Sequence, residues 1–194
     1  MTNLNYENSR FLDVVNKDDK IVDSKSRSDV HHLGLLHREV HVWMFDENYS
    51  IFFQKRGLHR PSAGLLDATV GGHVNKGEDY LDAAVRETKE ETGISIKPSD
   101  LIILKKVRDI SAVSKENFSD TSNNFIRMVY LYKYPVNEKL IKKEHGIPGA
   151  GFKKLSLEFL SNTEKEYEKM FHRFALKKEV PQVLKYIKKG YIKH

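Results

Sequence analysis

The chain has 194 residues, with 33 Lys and Arg against 27 Asp and Glu and a net charge of +6. Its length suits one domain of roughly 150 residues with an appendage, and 39% hydrophobic content is enough for a sizeable core. The absence of cysteine excludes a disulfide scaffold, thiolate zinc sites, iron–sulfur clusters and a cysteine nucleophile. No apolar run approaches the ~18 residues of a membrane span. The start, from Met1 to Arg10, lacks the apolar stretch of a signal peptide. A soluble, cytoplasmic protein is expected.

In chain order, Phe11 to Val15 and Lys20 to Val22 read as a small hairpin around the polar turn Asn16 to Asp19, and Ser24 to Asp29 as a linker. Arg38 to Phe45 alternates, with Val40, Val42 and Met44 on one side, and predicts a strand; Ile51 to Lys55 returns. Gly57 to Gly64 is a loop and Leu65 to Val70 a further strand. Asp79 to Thr92 is the clearest helix, with Asp79 as N-cap, Gly93 as stop, and a stripe of Leu81, Ala84, Val85 and Thr88. Leu101 to Val107 and Phe125 to Tyr134 are predicted strands, separated by a polar, mobile loop from Ser111 to Asn124. A turn follows at Gly146 to Gly151, then two or three helices, the last starting near Pro181. The order of elements implies an α/β or α+β sandwich. Three regions are expected: a hairpin and linker to residue 29, a central domain over 30–162, and a basic helical tail over 163–194.

Charge is unevenly placed. Thr163 to His194 holds nine Lys plus Arg against four Glu, a net +5, so the remaining residues are nearly neutral. Gly72 to Ile94 holds three bases and six acids, a net −3. At 100° per residue, Glu87, Glu90 and Glu91 share an arc of roughly 100° beside the apolar stripe. Their mutual repulsion in a partly dry cleft costs on the order of a few kcal/mol. A divalent cation such as Mg²⁺ or Mn²⁺ relieves it and in turn binds substrate phosphates. A bare E-x-x-E-E also fits a solvated acidic face, so its surroundings decide.

Those surroundings run from Gly72 through Glu78, Arg86, Glu87, Glu90 and Glu91 to Gly93-Ile94. The segment resembles the Nudix box, G-x5-E-x7-R-E-U-x-E-E-x-G-U, at every position that requires one residue type. Thr88 departs at the first bulky aliphatic position, and its hydroxyl is expected to bond back to the helix backbone. Val30 to His37, His41 to Trp43, Gln54 to Arg56 and Leu66 to His73 resemble the Nudix branch related to isopentenyl diphosphate isomerase. The resemblance implies an α/β/α sandwich around a mixed sheet and a Nudix domain over the central region. It implies a metal-dependent hydrolase that uses water to cleave a pyrophosphate bond in a small diphosphate-linked substrate. By motif position, Glu87, Glu90 and Glu91 with the Gly72 carbonyl would bind Mg²⁺ or Mn²⁺. Glu78 and Arg86 would support the helix and orient the glutamates. A general base outside the box is sought among Glu116, Asp120 and Glu144, without ranking. The isomerase needs a cysteine just before its Gly-His pair; Gly71 stands there, which disfavours isomerase chemistry.

Other groups fit blander roles. His31, His32, His37 and His41 invite a metal, yet His37 and His41 lie on a strand rather than one helical turn apart. Structural or interface roles, or a substrate contact from His31, are favoured over zinc. Trp43 is assigned to core or interface. In the tail, Tyr167, Phe171 and Phe174 fall at helical spacing, so packing with a solvated basic face is favoured over RNA binding. A nucleotide- or RNA-binding regulator with a Nudix-type pocket is the alternative function. A homodimer would be unsurprising.

Overall fold

The strand β3 (His37–Phe45) organises the molecule because its side chains alternate between two buried faces. The computed structural model describes residues 10–58, 63–109, 124–142, 150–161, 167–171 and 175–190, without the side chains of 167, 168, 175 and 176. Among them β1 (Phe11–Val15), β2 (Ile21–Ser26), β3, β4 (Ile51–Lys55), β5 (Leu66–Asp67), β6 (Val70–His73), β7 (Leu101–Asp109), β8 (Phe125–Tyr132) and β9 (Gly151–Leu155) form one mixed sheet. β3 pairs antiparallel with β1, β4 and β6 and parallel with β8, from His37↔Phe125 to Trp43↔Leu131.

Helices cover both faces, giving the α/β/α sandwich. On one, α2 (Tyr80–Thr92; α1 is Arg27–His32) sets Ala83 and Ala84 against Val40, Val42, Met44 and Val70. The two alanines allow close approach of helix and sheet, and each large apolar side chain buried between them stabilises by roughly 1.5–3 kcal/mol. On the other, α3 (Leu157–Ser161) and α4 (Val180–Lys188) bring Leu160, Val180, Val183 and Ile187 onto Trp43, Phe45, Phe53 and Phe171. Leu66 and Phe171 form a parallel bridge. The described part of the tail packs as expected, with Lys177, Lys178 and Lys185 outward. The Tyr167 and Phe174 side chains, the loop 110–123 and residues 143–149 lie outside the described residues.

Two sequence expectations change. The stretch from Ser24 is not a linker: Ser24 to Ser26 continue β2 against β1, and α1 begins directly, with Ser26 accepting from the Asp29 amide. Leu65 to Val70 is broken between β5 and β6, where Thr69 turns its hydroxyl to the Phe52 carbonyl at 2.5 Å. The hairpin is tied into the sheet by its own turn. Asp19 accepts from the Tyr80 hydroxyl and from Arg38 and Lys106, the latter two at 2.7 Å.

The ends of α2 follow their residues. Asp79 accepts from the Leu81 and Asp82 amides at 2.8 Å, and Gly93 closes the helix at φ 75°, which glycine adopts freely. Thr88 Oγ1 donates to the Ala84 carbonyl at 2.7 Å, as anticipated. Asp79→Ala should lower stability by about 1 kcal/mol, read as a thermal midpoint roughly 2–4 °C lower.

Candidate active site

The box residues meet where β6 faces α2. Arg86 holds the group together: Nε and Nη2 each donate to Glu78 at 2.8 Å, Nη2 to the His73 carbonyl at 2.8 Å, and Nη1 to Glu87 at 2.6 Å and Glu90 at 3.3 Å. Glu78 also accepts from the Asn75 amide at 2.9 Å, and Glu91 from the Gly71 amide at 3.0 Å. A Cβ at Gly72 would overlap the Glu87 side chain as it is placed, so the glycine lets that carboxyl lie against β6. Glu87 and Glu91 are buried while Glu90 stays exposed. The two buried carboxylates sit on the sheet-facing side of α2 together with Ala84 and Thr88, displacing Val85 to a half-buried position.

Burial pushes the Glu87 carboxyl up to about 7, against the lowering effect of Arg86 and with the help of neighbouring Glu90. Glu78, although burial would raise it, is held below the usual carboxylate range by Arg86 and the Asn75 amide. Arg86 is hydrogen-bonded to three carboxylates, and Glu87 is ionised only at a cost. An oxygen-rich, net acidic group of this kind fits Mg²⁺ or Mn²⁺, with Glu87, Glu90 and Glu91 as donors.

On the opposite face of the sheet three histidines gather. His31 from α1, His37 from β3 and His73 from β6 converge, their candidate ligand nitrogens all within 4.8 Å of one another, without His32 or His41. His31 Nε2 lies 2.9 Å from His73 Nε2, and His37 Nδ1 donates to the Leu35 carbonyl at 2.9 Å. Its other ring nitrogen, Nε2, is buried without a hydrogen-bond partner. Glu39 Oε1 stands 3.6 Å from it and 3.7 Å from His73 Nε2. Burial pushes His31 down to about 4 and His73 well below its ordinary value, so these two rings are neutral at pH 7. Three imidazoles and a carboxylate make a second candidate metal centre with zinc-type donors.

Beside it lies a buried charge network that the sequence did not reveal. Glu179, from the turn Ala175–Glu179, accepts from His41 Nδ1 at 2.8 Å, Trp43 Nε1 at 3.0 Å and Arg127 Nη1 at 3.1 Å. Arg127 Nη2 donates to Glu39 at 2.6 Å. Trp43 is thus core, as expected, with its polar edge bonded. Glu116, Asp120 and Glu144 lie outside the described residues. The only early signal of the network was the alternation of His37, Glu39 and His41 along β3.

The raised Glu87 gives a signed pH effect. Between about 4.5 and 7 the folded chain binds more protons at Glu87 than the unfolded one, so the Glu87 contribution to metal-free stability should fall as pH rises through that window, while His31 and His73, kept neutral by burial, contribute with the opposite sign over much of it. Thermal midpoints of the wild type minus those of Glu87→Gln should isolate the falling slope, and Mg²⁺ should raise the wild-type midpoint most at the alkaline end.

Comparison with known proteins agrees with this geometry. The NUDIX domain family model matches residues 35–174. An uncharacterised Nudix hydrolase of Clostridium acetobutylicum is 30% identical over 128 residues, covering 64% of this chain and 58% of that protein. An isopentenyl-diphosphate Delta-isomerase of Serratia proteamaculans is 39% identical over 86 residues, 44% of this chain and 48% of that one. The chain therefore spans about half to three fifths of the length of these relatives. A crystal structure from Deinococcus radiodurans shares the fold with a TM-score of 0.56 at 23% identity, covering 77% of this chain and 85% of its own. With the family matched over most of its length and the box residues gathered at one edge of β6, the chain belongs to the Nudix hydrolase family.

Proposed function

We propose that the chain is a Mg²⁺- or Mn²⁺-dependent pyrophosphohydrolase that cleaves a small diphosphate-linked substrate by water attack. The observation that carries this reading is the convergence of Glu87, Glu90 and Glu91 on the edge of β6, with Gly72 shaped to admit the Glu87 carboxyl. A divalent ion held there would polarise phosphoryl oxygens and make a bound water more acidic. The protein's own part is to fix the donors. Arg86 pins Glu87 and Glu90 through one nitrogen while Glu78 holds the other side of its guanidinium. Glu91 is oriented by the Gly71 amide. Glu90, the exposed member and the more loosely held of the two on Arg86 at 3.3 Å, could meet an ion and its water shell.

Isomerase chemistry is disfavoured by sterics as well as by composition. A Cβ at position 71 would stand 3.0 Å from the His41 ring, so a thiol could not be installed there without moving that ring. The charged tail gives no support to an RNA-binding role, because its described apolar side chains are spent on the core. The acceptor, the nature of the group linked to the diphosphate and a cytoplasmic location stay within the proposal; no described helix is long and apolar enough to cross a membrane.

Glu91→Gln should abolish Mg²⁺-dependent hydrolysis across a panel of nucleotide sugars, dinucleoside polyphosphates, oxidised nucleotides, prenyl diphosphates and capped RNA, with the fold kept by circular dichroism. Near-full turnover by the variant would refute the assignment. Silence of the wild type on every substrate would favour a binding role.

A further inference from the structure

The N-terminal hairpin lies outside the box in sequence, yet it is bonded to the loop 74–79 that joins β6 to α2. The Lys76 amide donates to the Phe11 carbonyl at 2.9 Å, Asn75 bridges Leu12, and the Gly77 amide donates to Asp13 Oδ2 at 2.8 Å. β1 thus grips Asn75, Lys76 and Gly77 in succession. The turn of the same hairpin takes the far end of the loop, since Asp19 accepts from the hydroxyl of Tyr80, the first residue of α2. Of the three β1 contacts only the one from Asp13 is made by a side chain. Asp13 is 4% exposed, and burying a carboxylate is costly unless it is hydrogen-bonded. Ser24 stands directly across the hairpin from it, on the same face, with a buried hydroxyl that has no partner. The carboxylate is therefore turned to the box loop and not to the facing hydroxyl of its own hairpin.

What the loop carries is Glu78. Its carboxylate accepts from the Asn75 amide at 2.9 Å, and its own amide donates to the Asn75 carbonyl at 3.0 Å. Glu78 is thus set by the stretch that β1 grips. Gly77, the residue before it, has φ 73°, which glycine adopts freely, so the turn that aims its amide at Asp13 is unstrained. Glu78 in turn receives Arg86 through two bonds of 2.8 Å, and Arg86 Nη1 donates to Glu87 at 2.6 Å and Glu90 at 3.3 Å. From Asp13 through Gly77, Glu78 and Arg86 to Glu87, each link is a hydrogen bond or a shared peptide unit.

We propose that Asp13 is a positioning residue for the metal carboxylates: it holds the Gly77 amide so that Glu78 and Arg86 present Glu87 and Glu90 in one arrangement. The proposal rests on the hydrolase reading for its effect on turnover and on the box carboxylates alone for its effect on metal binding. Asp13 touches neither the ion nor the diphosphate and acts only through the loop. Partners that orient metal ligands in this way change affinity or activity by about 10- to 100-fold when they are removed. The hairpin is then part of the working site, not an appendage to it.

The competing role is a buried carboxylate that only stabilises the hairpin, and four measurements separate the two. The Mn²⁺ binding that is lost in Glu91→Gln, followed by electron paramagnetic resonance, should weaken about tenfold in Asp13→Ala. In the same variant kcat at saturating Mn²⁺ should fall about tenfold, with KM changed by less than about twofold. Asp13→Asn keeps an acceptor oxygen and should bring both quantities back to within about threefold of the wild type. Val14→Ala, whose side chain packs in the hairpin's own cluster, should lower the thermal midpoint and leave Mn²⁺ affinity unchanged. If the alanine variant at Asp13 does not fold, the wild type supplies the remaining readout. Coupling is reciprocal, so Mg²⁺ should slow hydrogen exchange of the Gly77 amide. Wild-type Mn²⁺ affinity in a folded Asp13→Ala, an Asp13→Asn as impaired as the alanine, an equal loss in Val14→Ala, or a Gly77 amide indifferent to Mg²⁺ would each overturn the assignment. Asp13-dependent Mn²⁺ binding in a protein silent on the whole substrate panel fails the hydrolase reading and keeps the positioning role. Mn²⁺ binding that needs Glu91 but not Asp13 fails this proposal alone, and a wild type that binds no Mn²⁺ through Glu91 fails both.

Discussion

The arrangement of the box depends on a single guanidinium. Arg86 is hydrogen-bonded to Glu78, Glu87 and Glu90, and it reaches the His73 carbonyl as well, so it binds helix to strand and carboxylate to carboxylate. Planar and permanently charged, it can satisfy acceptors on two sides at fixed angles, which a lysine cannot. Its charge also limits the cost of burying Glu87, though it does not remove it. The site is therefore assembled with its anionic excess intact, an arrangement that stabilises a bound cation more than it stabilises the fold.

The same device recurs across the sheet. Arg127 bridges Glu39 and Glu179 as Arg86 bridges Glu78 and Glu87. Glu39 leans toward the histidine trio and Glu179 fixes His41, so one buried arginine joins two groups of imidazoles. β3 makes this separation by plain alternation: Val40, Val42 and Met44 face α2, whereas Glu39, His41 and Trp43 face the tail. Breaking either arginine bridge would strand a buried carboxylate, which costs far more than the bridge contributes in net stability.

What was legible in the sequence was what is local. The helix, its Asp79 cap, its Gly93 stop and the Glu87, Glu90, Glu91 cluster lie within a short segment whose spacing alone fixes a shared face. Thr88 could be read for the same reason, because its partner is one turn back. The histidine trio could not: His31 and His73 are 42 positions apart, and β6 had to pair with β3 before they met. His41 and His37 were visible as strand residues, but nothing in the order of residues said which of them faced His73 and which Gly71. The break between β5 and β6 was hidden too, because its cause is Thr69 reaching a carbonyl on another strand.

Glu179 is 138 positions from His41, and this has a consequence for the order in which the molecule is made. A contact of such sequence separation is late and entropically costly to close. The helix and the central sheet can form while the chain is still being synthesised, but His41 and Arg127 acquire their carboxylate only when the tail arrives. Until then Arg127 lacks one of the carboxylates it hydrogen-bonds in the finished fold, a state more open to water. Completion of the C-terminal segment is thus the event that dries this face of the sheet.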